Sequence, residues 1–297
     1  MNEQQVFFVL VNYNALDHTL ECIESIKSIS YKNCSIVVVD NDSKEKSIYE
    51  IKLKYKDVHI IVNDKNYGFS KANNIGIKYA LDRGADFVCL LNNDTVIEKE
   101  CLTILIKAYQ SQREKIGIVT GKIINYYDRK TIWYAGGDLS NVKGDAISYG
   151  FGKRDFSYVD QNKICSFASG CFMLIPREIV KKYPLSEQYF LYYEDVEYCH
   201  KLYSDGYKVL YIPTAIIYHK ESISTGKKSS LFSYYYTRNR LYYISQNIGS
   251  PIRIVAYILT YLTFIKRCLE GNLQVHSCLK GIGDFYIGNV GQCEQNL

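Results

Sequence analysis

Four short apolar runs, each followed at once or within a few residues by asparagine or aspartate, constrain this chain more than any other feature. They are Val6–Val11, Ile36–Val39, Val58–Val62 and Phe87–Leu91. None alternates cleanly between apolar and polar residues, so both faces of each are expected to be buried, as in a parallel sheet covered by helices. Helical spacing fills the intervals. Leu16–Ser28 carries Leu16, Leu20, Ile23 and Ile26, and Ser70–Asp82 and Glu98–Gln110 read as further helices. This β-α-β-α-β rhythm predicts an α/β chain with a doubly wound, nucleotide-binding first half.

Such sheets bind ligands at the carboxyl ends of their strands. Those ends read Asn12-Tyr13-Asn14, Asp40-Asn41-Asp42-Ser43, Asn63 to Phe69, and Asn92-Asn93-Asp94. One such residue is ordinary turn chemistry. Four clusters on one edge supply amides and carboxylates for a base and a ribose, and a carboxylate for a metal. No GxGxxG follows the first run and no GxxxxGK[ST] occurs, which disfavours a dinucleotide oxidoreductase and a P-loop nucleotidase. A diphosphate must then be neutralised differently. A divalent cation, Mn²⁺ or Mg²⁺, held by Asp94 would do so, because hard cations prefer carboxylate oxygens and bridge phosphates.

The stretch from Gly121 to Cys165 is rich in glycine and reads as hairpins and loops, a usual place for an acceptor site. A strand over Cys171–Ile175, a helix over Arg177–Lys182 and a helix over Asp195–Ser204 ending at Gly206 follow. Two strands, Tyr207–Tyr211 and Ala215–Tyr218, are expected on either side of Pro213. From about Leu231 the chain reads as helical. Ile254–Ile265 is uncharged, flanked by Arg253, Lys266 and Arg267, and too short to span a bilayer comfortably. Interfacial and buried packing are both open for it.

Composition adds three points. The ten cysteines are scattered without a CxxC pair, which predicts free thiols in a reducing compartment and argues against a zinc site. The polar start and the short apolar run after it do not read as a targeting segment, so the N-terminal part is expected in the cytosol. The net charge of +5 arises in residues 220–297, with nine basic and four acidic side chains. A basic, tyrosine-rich tail suits a membrane surface or a phosphate-bearing acceptor, and equally a solvated helical face.

The ordered segments VNYN (11–14), VVVDNDS (37–43), NYGFSKANNIG (66–76), LLNNDT (90–95), ASGCFMLIPRE (168–178), FLYYEDVEYCHKL (190–202), GYKVLYIPTAIIYHKES (206–222) and YYYTRNR (234–240) resemble the inverting family-2 glycosyltransferases of GT-A fold, in their rhamnosyltransferase-like branch. The match spans roughly residues 5–245, and KGIGDFYIGNVGQ (280–292) is similar to the tail of that branch. The resemblance implies a doubly wound mixed sheet flanked by helices over 1–225, with a helical C-terminal extension over 226–297.

By resemblance, Asn12, Tyr13 and Asn14 lie under the base and ribose. Asp40 accepts from the base N3–H of a UDP- or dTDP-linked donor, and Asn66, Gly68 and Asn74 pass near the nucleotide. Asn92-Asn93-Asp94 stands where the family has its DxD metal motif, with asparagine replacing the first aspartate, so Asp94 remains the direct ligand. Asp195 matches the general base and Glu194 supports it, although a carboxylate at a helix start also serves as a cap. A lone histidine is more often structural, but His219 stands where the family's histidine reaches metal or diphosphate. Arg238 and Arg240 suit bidentate phosphate contact, with helix-surface ion pairs as the other reading. The implied acceptor is a glycan or lipid-linked glycan. No nucleic-acid partner is expected, and a homodimer is compatible with the tail. The rival functions are a sugar nucleotidyltransferase, disfavoured by the missing basic loop, and a catalytically silent nucleotide- or glycan-binding subunit.

Overall fold

The computed structural model describes residues 3–44, 47–155, 160–220 and 229–293. The four apolar runs form β1 (Val6–Asn12), β2 (Cys34–Asp40), β3 (His59–Val62) and β4 (Phe87–Leu91). They pair in parallel in the order β3-β2-β1-β4. Between them run α1 (Leu16–Lys27), α2 (Ser47–Lys54) and α3 (Gly68–Asp82). Helix α2 was not expected; it is two turns long and keeps little apolar surface inward beyond Ile51. The expected third helix starts later than Glu98, as α4 (Cys101–Gln110), because Thr95–Ile97 is strand β5.

The second half departs most from the sequence reading. Ile116–Asn125 is a ten-residue strand, β6, in the body of the sheet. Gly117, Gly121 and Lys122 interrupt its apolar pattern and disguise it as loop. The Lys122 side chain is buried, and its charge is met by Asp155 at 2.8 Å and by Asp160, partners that no local pattern reveals. The rest of the region is hairpin-like as expected, with β7 (Ile132–Tyr134) on β6 and β8 (Gly137–Ser140) paired with β9 (Asp145–Ser148). Then come β10 (Lys163–Cys165), β11 (Phe172–Pro176), α5 (Arg177–Lys182) and α6 (Glu194–Ser204).

The two strands expected around Pro213 are one, β12 (Lys208–His219), with a register shift against β6. Ile212 pairs with Gly121 and Ile216 with Lys122, so Pro213–Ala215 bulge out of the ladder, where proline's missing N–H costs nothing. The Ala215 carbonyl lies 2.0 Å from where a Cβ on Gly121 would sit, so only glycine admits the bulge. The ten-stranded sheet runs β10-β12-β6-β11-β4-β1-β2-β3, with β5 also on β12 and β7 on β6. Antiparallel β11 between β6 and β4 makes it mixed.

Three helices close the chain: α7 (Ser230–Asn247), α8 (Ile252–Leu269) and α9 (Val275–Tyr286). The boundary drawn at 225/226, like Glu221 and Ser222 of the quoted motif, lies outside the described residues. Tyr243, Ile244 and Ile248 at the end of α7, and Ala256 of α8, belong to the same buried cluster as the sheet. Leu241, Phe264, Leu273 and Cys278 tie α7, α8 and α9 together. All ten cysteines are free thiols.

Candidate active site

The chain moves outward from β1 to β2 and β3, then returns to β4 on the other side of β1. Where order reverses in this way, strand ends diverge and leave a crevice. A cleft of about 350 Å³ opens there. Asn92, Asn93 and Asp94, following β4, line it together with Tyr13, Asn41, Asn66 and Gly68. Facing groups come from the second half: Trp133, Ser169-Gly170-Cys171, Phe190–Tyr192, Glu194, Asp195 and His219.

Gly68 and Phe190 bring the two halves together. Gly68 has φ +75°, and a Cβ on it would sit 2.3 Å from the Phe190 carbonyl oxygen, which accepts a hydrogen bond from the Phe69 N–H at 2.8 Å. Gly68→Ala is therefore expected to destabilise the protein by about 1–3 kcal/mol through strain and displaced backbone, read as a fall in Tm. A wild-type Tm would mean this close approach is absent.

Glu194 and Asp195 open α6. Asp195 is half-buried; its Oδ2 accepts from the Gly170 N–H at 3.0 Å and its Oδ1 from its neighbour Val196 N–H at 2.8 Å. Glu194 is buried, and its Oε2 has no partner. Burial raises both carboxyls; the adjacent Asp195 charge pushes Glu194 further up, well above the usual range, while backbone N–H groups restrain the rise of Asp195. Two neighbouring acids of this kind lose their protons as a pair. The backbone donors favour the ionised form of Asp195 over that of Glu194.

Asp94 and His219 form the second pair. His219 Nε2 lies 3.2 Å from Asp94 Oδ1, both residues are buried, and His219 Nδ1 has no hydrogen-bond partner. Burial works against charge on each. The imidazole nevertheless outweighs it at Asp94, whose carboxyl is lowered, while the Cys171 sulfur and Asp94 hold His219 well above its usual range. The Trp133 ring stands edge-on to His219 at 4.8 Å. No cluster of three or more His, Cys, Asp or Glu suited to a metal occurs among the described residues. Asp94 and His219 stand as an isolated carboxylate–imidazole pair at the cleft.

Several expected residues are not among those lining the cleft. Asn12 is fully buried and donates to Asp40 Oδ1 at 2.7 Å and Ser43 Oγ at 3.1 Å. Asp40 Oδ1 also accepts from Ser43 Oγ at 2.7 Å, and its Oδ2 from the Ser43 N–H at 3.1 Å. Asn14, at φ +49°, accepts from the Lys44 N–H at 2.8 Å. This network locks the ends of β1 and β2. Asn74 is spent on the Leu185 backbone, donating at 2.9 Å and accepting at 3.1 Å. Asn66 stays at the cleft, accepting from Asn41 at 2.7 Å and the Gly68 N–H at 2.9 Å. Asn93 donates to Thr19 Oγ1 at 2.8 Å.

The arginine expectation needs correction. Arg238 and Arg240 are buried, not presented at a helix surface, and neither lines the cleft. Arg238 donates to the Gly291 carbonyl at 2.7 Å and to Tyr234 Oη at 3.1 Å. Arg240 donates to the Lys143 carbonyl at 2.6 Å and pairs with Asp145 at 3.4 Å. They fasten the chain end and the β8–β9 hairpin onto α7. Sequence reasoning missed Trp133 and Asn41 as cleft residues. Asn41 had a signal, sitting in the DNDS run, whereas Trp133 reaches His219 only through β7.

The fold is that of a GT-A glycosyltransferase: 89% of the chain aligns with 56% of GalNAc-T7, solved with UDP, GalNAc and Mn²⁺, at a TM-score of 0.62 and 17% identity. The model of glycosyl transferase family 2 matches residues 7–184, and the chain belongs to that family. It is 26% identical over 281 residues to the dTDP-rhamnosyl transferase RfbF of Shigella flexneri, covering 88% of each chain. It is 24% identical to the low-salt glycan biosynthesis hexosyltransferase Agl10 of Haloferax volcanii, over 82% of this chain and 76% of that one.

Proposed function

We propose that this chain transfers a hexose, rhamnose being the first candidate, from a UDP- or dTDP-linked donor to a hydroxyl of a glycan or lipid-linked glycan, with inversion, in the synthesis of a cell-surface polysaccharide. The observation that carries the reading is one cleft lined by two unlike pairs, the adjacent acids Glu194–Asp195 and the carboxylate–imidazole pair Asp94–His219. The dTDP-rhamnosyl name of the Shigella relative supports the choice of sugar and nucleotide.

Asp195 takes the proton from the acceptor hydroxyl as its oxygen attacks the anomeric carbon and the bond to the diphosphate breaks. A single displacement inverts the configuration. Glu194, buried beside Asp195 with its carboxyl raised further by the Asp195 charge, supports Asp195 as the base. Asp94, with His219 beside it, would hold a divalent cation, His219 giving up its proton as the cation enters, and the cation would supply charge stabilisation to the leaving diphosphate. Tyr13, Asn66, Gly68, Asn92 and Asn93 bound the space for the nucleotide, with Asn12, Asn14, Asp40 and Asn74 holding that rim in place.

Thermal-shift screening with UDP-glucose, UDP-GlcNAc, dTDP-rhamnose and GDP-mannose, each with Mn²⁺, tests the donor, since a ligand that binds only the folded state raises Tm. A UDP- or dTDP-sugar should give the largest shift, and its slow hydrolysis should separate an enzyme from a silent binding subunit. No shift from any of the four would sink the donor assignment.

The tail supports peripheral attachment to the cytoplasmic membrane face. No helix among the described residues is long and apolar enough to cross a membrane. Helix α8 nevertheless exposes Ile254, Ile258, Leu262, Ile265 and Leu269 in one stripe, from 55% to 85% accessible. Of the flanking cations only Lys266 faces outward. Arg253 donates to the Ile248 carbonyl at 2.6 Å and Arg267 lies over the Tyr236 ring at 4.7 Å. The apolar stripe is therefore the main contributor to attachment. Ile258→Ser with Leu262→Ser should abolish flotation with anionic liposomes and leave nucleotide binding intact. Wild-type protein that ignores such liposomes at low salt would refute attachment and leave a second copy of the chain as the occupant of the stripe.

A further inference from the structure

The turn that delivers Glu194 and Asp195 holds two consecutive tyrosines in the left-handed region, Tyr192 at φ +67° and Tyr193 at φ +75°. A side chain with a Cβ disfavours that backbone. The turn therefore needs contacts from outside to persist.

Asn239, in the middle of the RNR segment of α7, makes them. It is buried, and its Nδ2 donates to the Leu191 carbonyl at 2.8 Å and the Tyr192 carbonyl at 3.0 Å, using both amide hydrogens on successive peptides. Its orientation is fixed from behind, because Arg238 Nε donates to Asn239 Oδ1 at 3.0 Å. The oxygen is thereby committed to the guanidinium and the nitrogen to the turn. On the other flank, the Phe190 ring stacks on Tyr235 of α7 at 5.3 Å and the Phe190 carbonyl meets the start of α3. The turn is clamped between the donor-side helix and the C-terminal helix.

We propose that Asn239 is a positioning residue for the transfer: by holding the Leu191 and Tyr192 carbonyls it sets the left-handed turn that aims Asp195 into the cleft. The proposal rests on Asp195 as the base. It also gives the RNR segment a role other than phosphate contact, since its central amide, and not its two arginines, acts on the site. Arg238 serves as the link that orients the amide and ties it to the chain end at Gly291.

The test uses the full chain and three variants. Asn239→Ala removes the amide, and Asn239→Leu removes both hydrogen bonds while restoring the volume. Asn239→Ser offers one donor in place of two and keeps a readout should the apolar variants not fold. The assays are steady-state hydrolysis of the preferred donor, calorimetric binding of UDP with Mn²⁺, and amide hydrogen exchange across residues 186–199. In Ala and Leu, kcat should fall roughly 10- to 100-fold, as expected for a misplaced reacting group. UDP binding should hold, and exchange should quicken in residues 190–196 while β1–β4 stay protected. Ser should fall between them and wild type. Wild-type kcat and exchange in the Leu variant, or in Ser, would overturn the proposal, because filling space would then suffice. Faster exchange throughout the sheet would also overturn it, since Asn239 would then be a general stabiliser. Asp195→Asn in the same assay separates the two ideas. If that variant keeps turnover the base assignment has failed, whereas Asn239 fails only on its own variants.

Discussion

Asp195→Asn is expected to lower kcat by about 10²- to 10⁴-fold, the usual contribution of a positioned general base, with the Kd for the nucleoside diphosphate unchanged. The substitution keeps the size of the side chain and removes its ability to take a proton. Asp195 touches the protein through the Gly170 and Val196 N–H groups and otherwise faces the cleft, so its loss should leave the donor rim intact. One of those two N–H groups loses its acceptor in the variant, and a small fall in Tm should accompany the change. The pH profile carries a sign. Burial raises the Asp195 carboxyl, and the base must be ionised to act. Wild-type kcat should therefore fall as pH drops, on a limb lying above the ordinary aspartate value of about 3.9. The residual activity of the variant should lack that limb. Turnover at the wild-type level would remove Asp195 from the mechanism.

Chelation is expected to stop transfer, and added Mn²⁺ to restore it. Asp94→Ala should weaken the metal-dependent part of UDP binding by about 10- to 100-fold or more, taking the loss of a second-shell partner as a lower guide. Binding of UDP without metal should change little. The reasoning is electrostatic. Neither GxGxxG nor GxxxxGK[ST] occurs in the chain to cradle the diphosphate, and Arg238 and Arg240 are committed elsewhere. Asp94 and His219 line the cleft side by side, and they are the groups proposed to hold the cation. Calorimetry of UDP with and without Mn²⁺, on wild type and Asp94→Ala, makes the measurement. Full activity in excess EDTA would dismiss the cation.

The site was legible where the chain itself brings residues to a strand end. Asn92-Asn93-Asp94, Asn66 and Gly68 are adjacent in sequence to the strands or helix that present them, so period and turn chemistry sufficed. Glu194, Asp195 and His219 required the resemblance, because nothing local says that a helix start and a strand end from the second half face the first half's edge. The arginines of the RNR segment misled for a physical reason. A guanidinium in sequence looks the same whether it meets phosphate or a buried carbonyl, and only the packing of α7 against the chain end and the β8–β9 hairpin decides. Asn12 and Asp40 illustrate a related ambiguity. They stand at the expected rim, yet their polar atoms are turned toward each other and Ser43.

The apolar runs by themselves determined β1 to β4, their parallel pairing and the cleft at their ends, since unbroken runs with helices between them have few ways to bury both faces. Tertiary structure alone decided the second half. Strand β6 keeps Lys122 buried with Asp155 and Asp160 as its partners, and β12 runs unbroken because Gly121 leaves room for the bulge. The left-handed turn before α6 persists with Asn239 bonded to its carbonyls. Each of these depends on a partner tens of residues away. A local pattern reports how a segment would fold alone, and a buried charge, a bulge or a strained turn is stable only once that distant partner is in place.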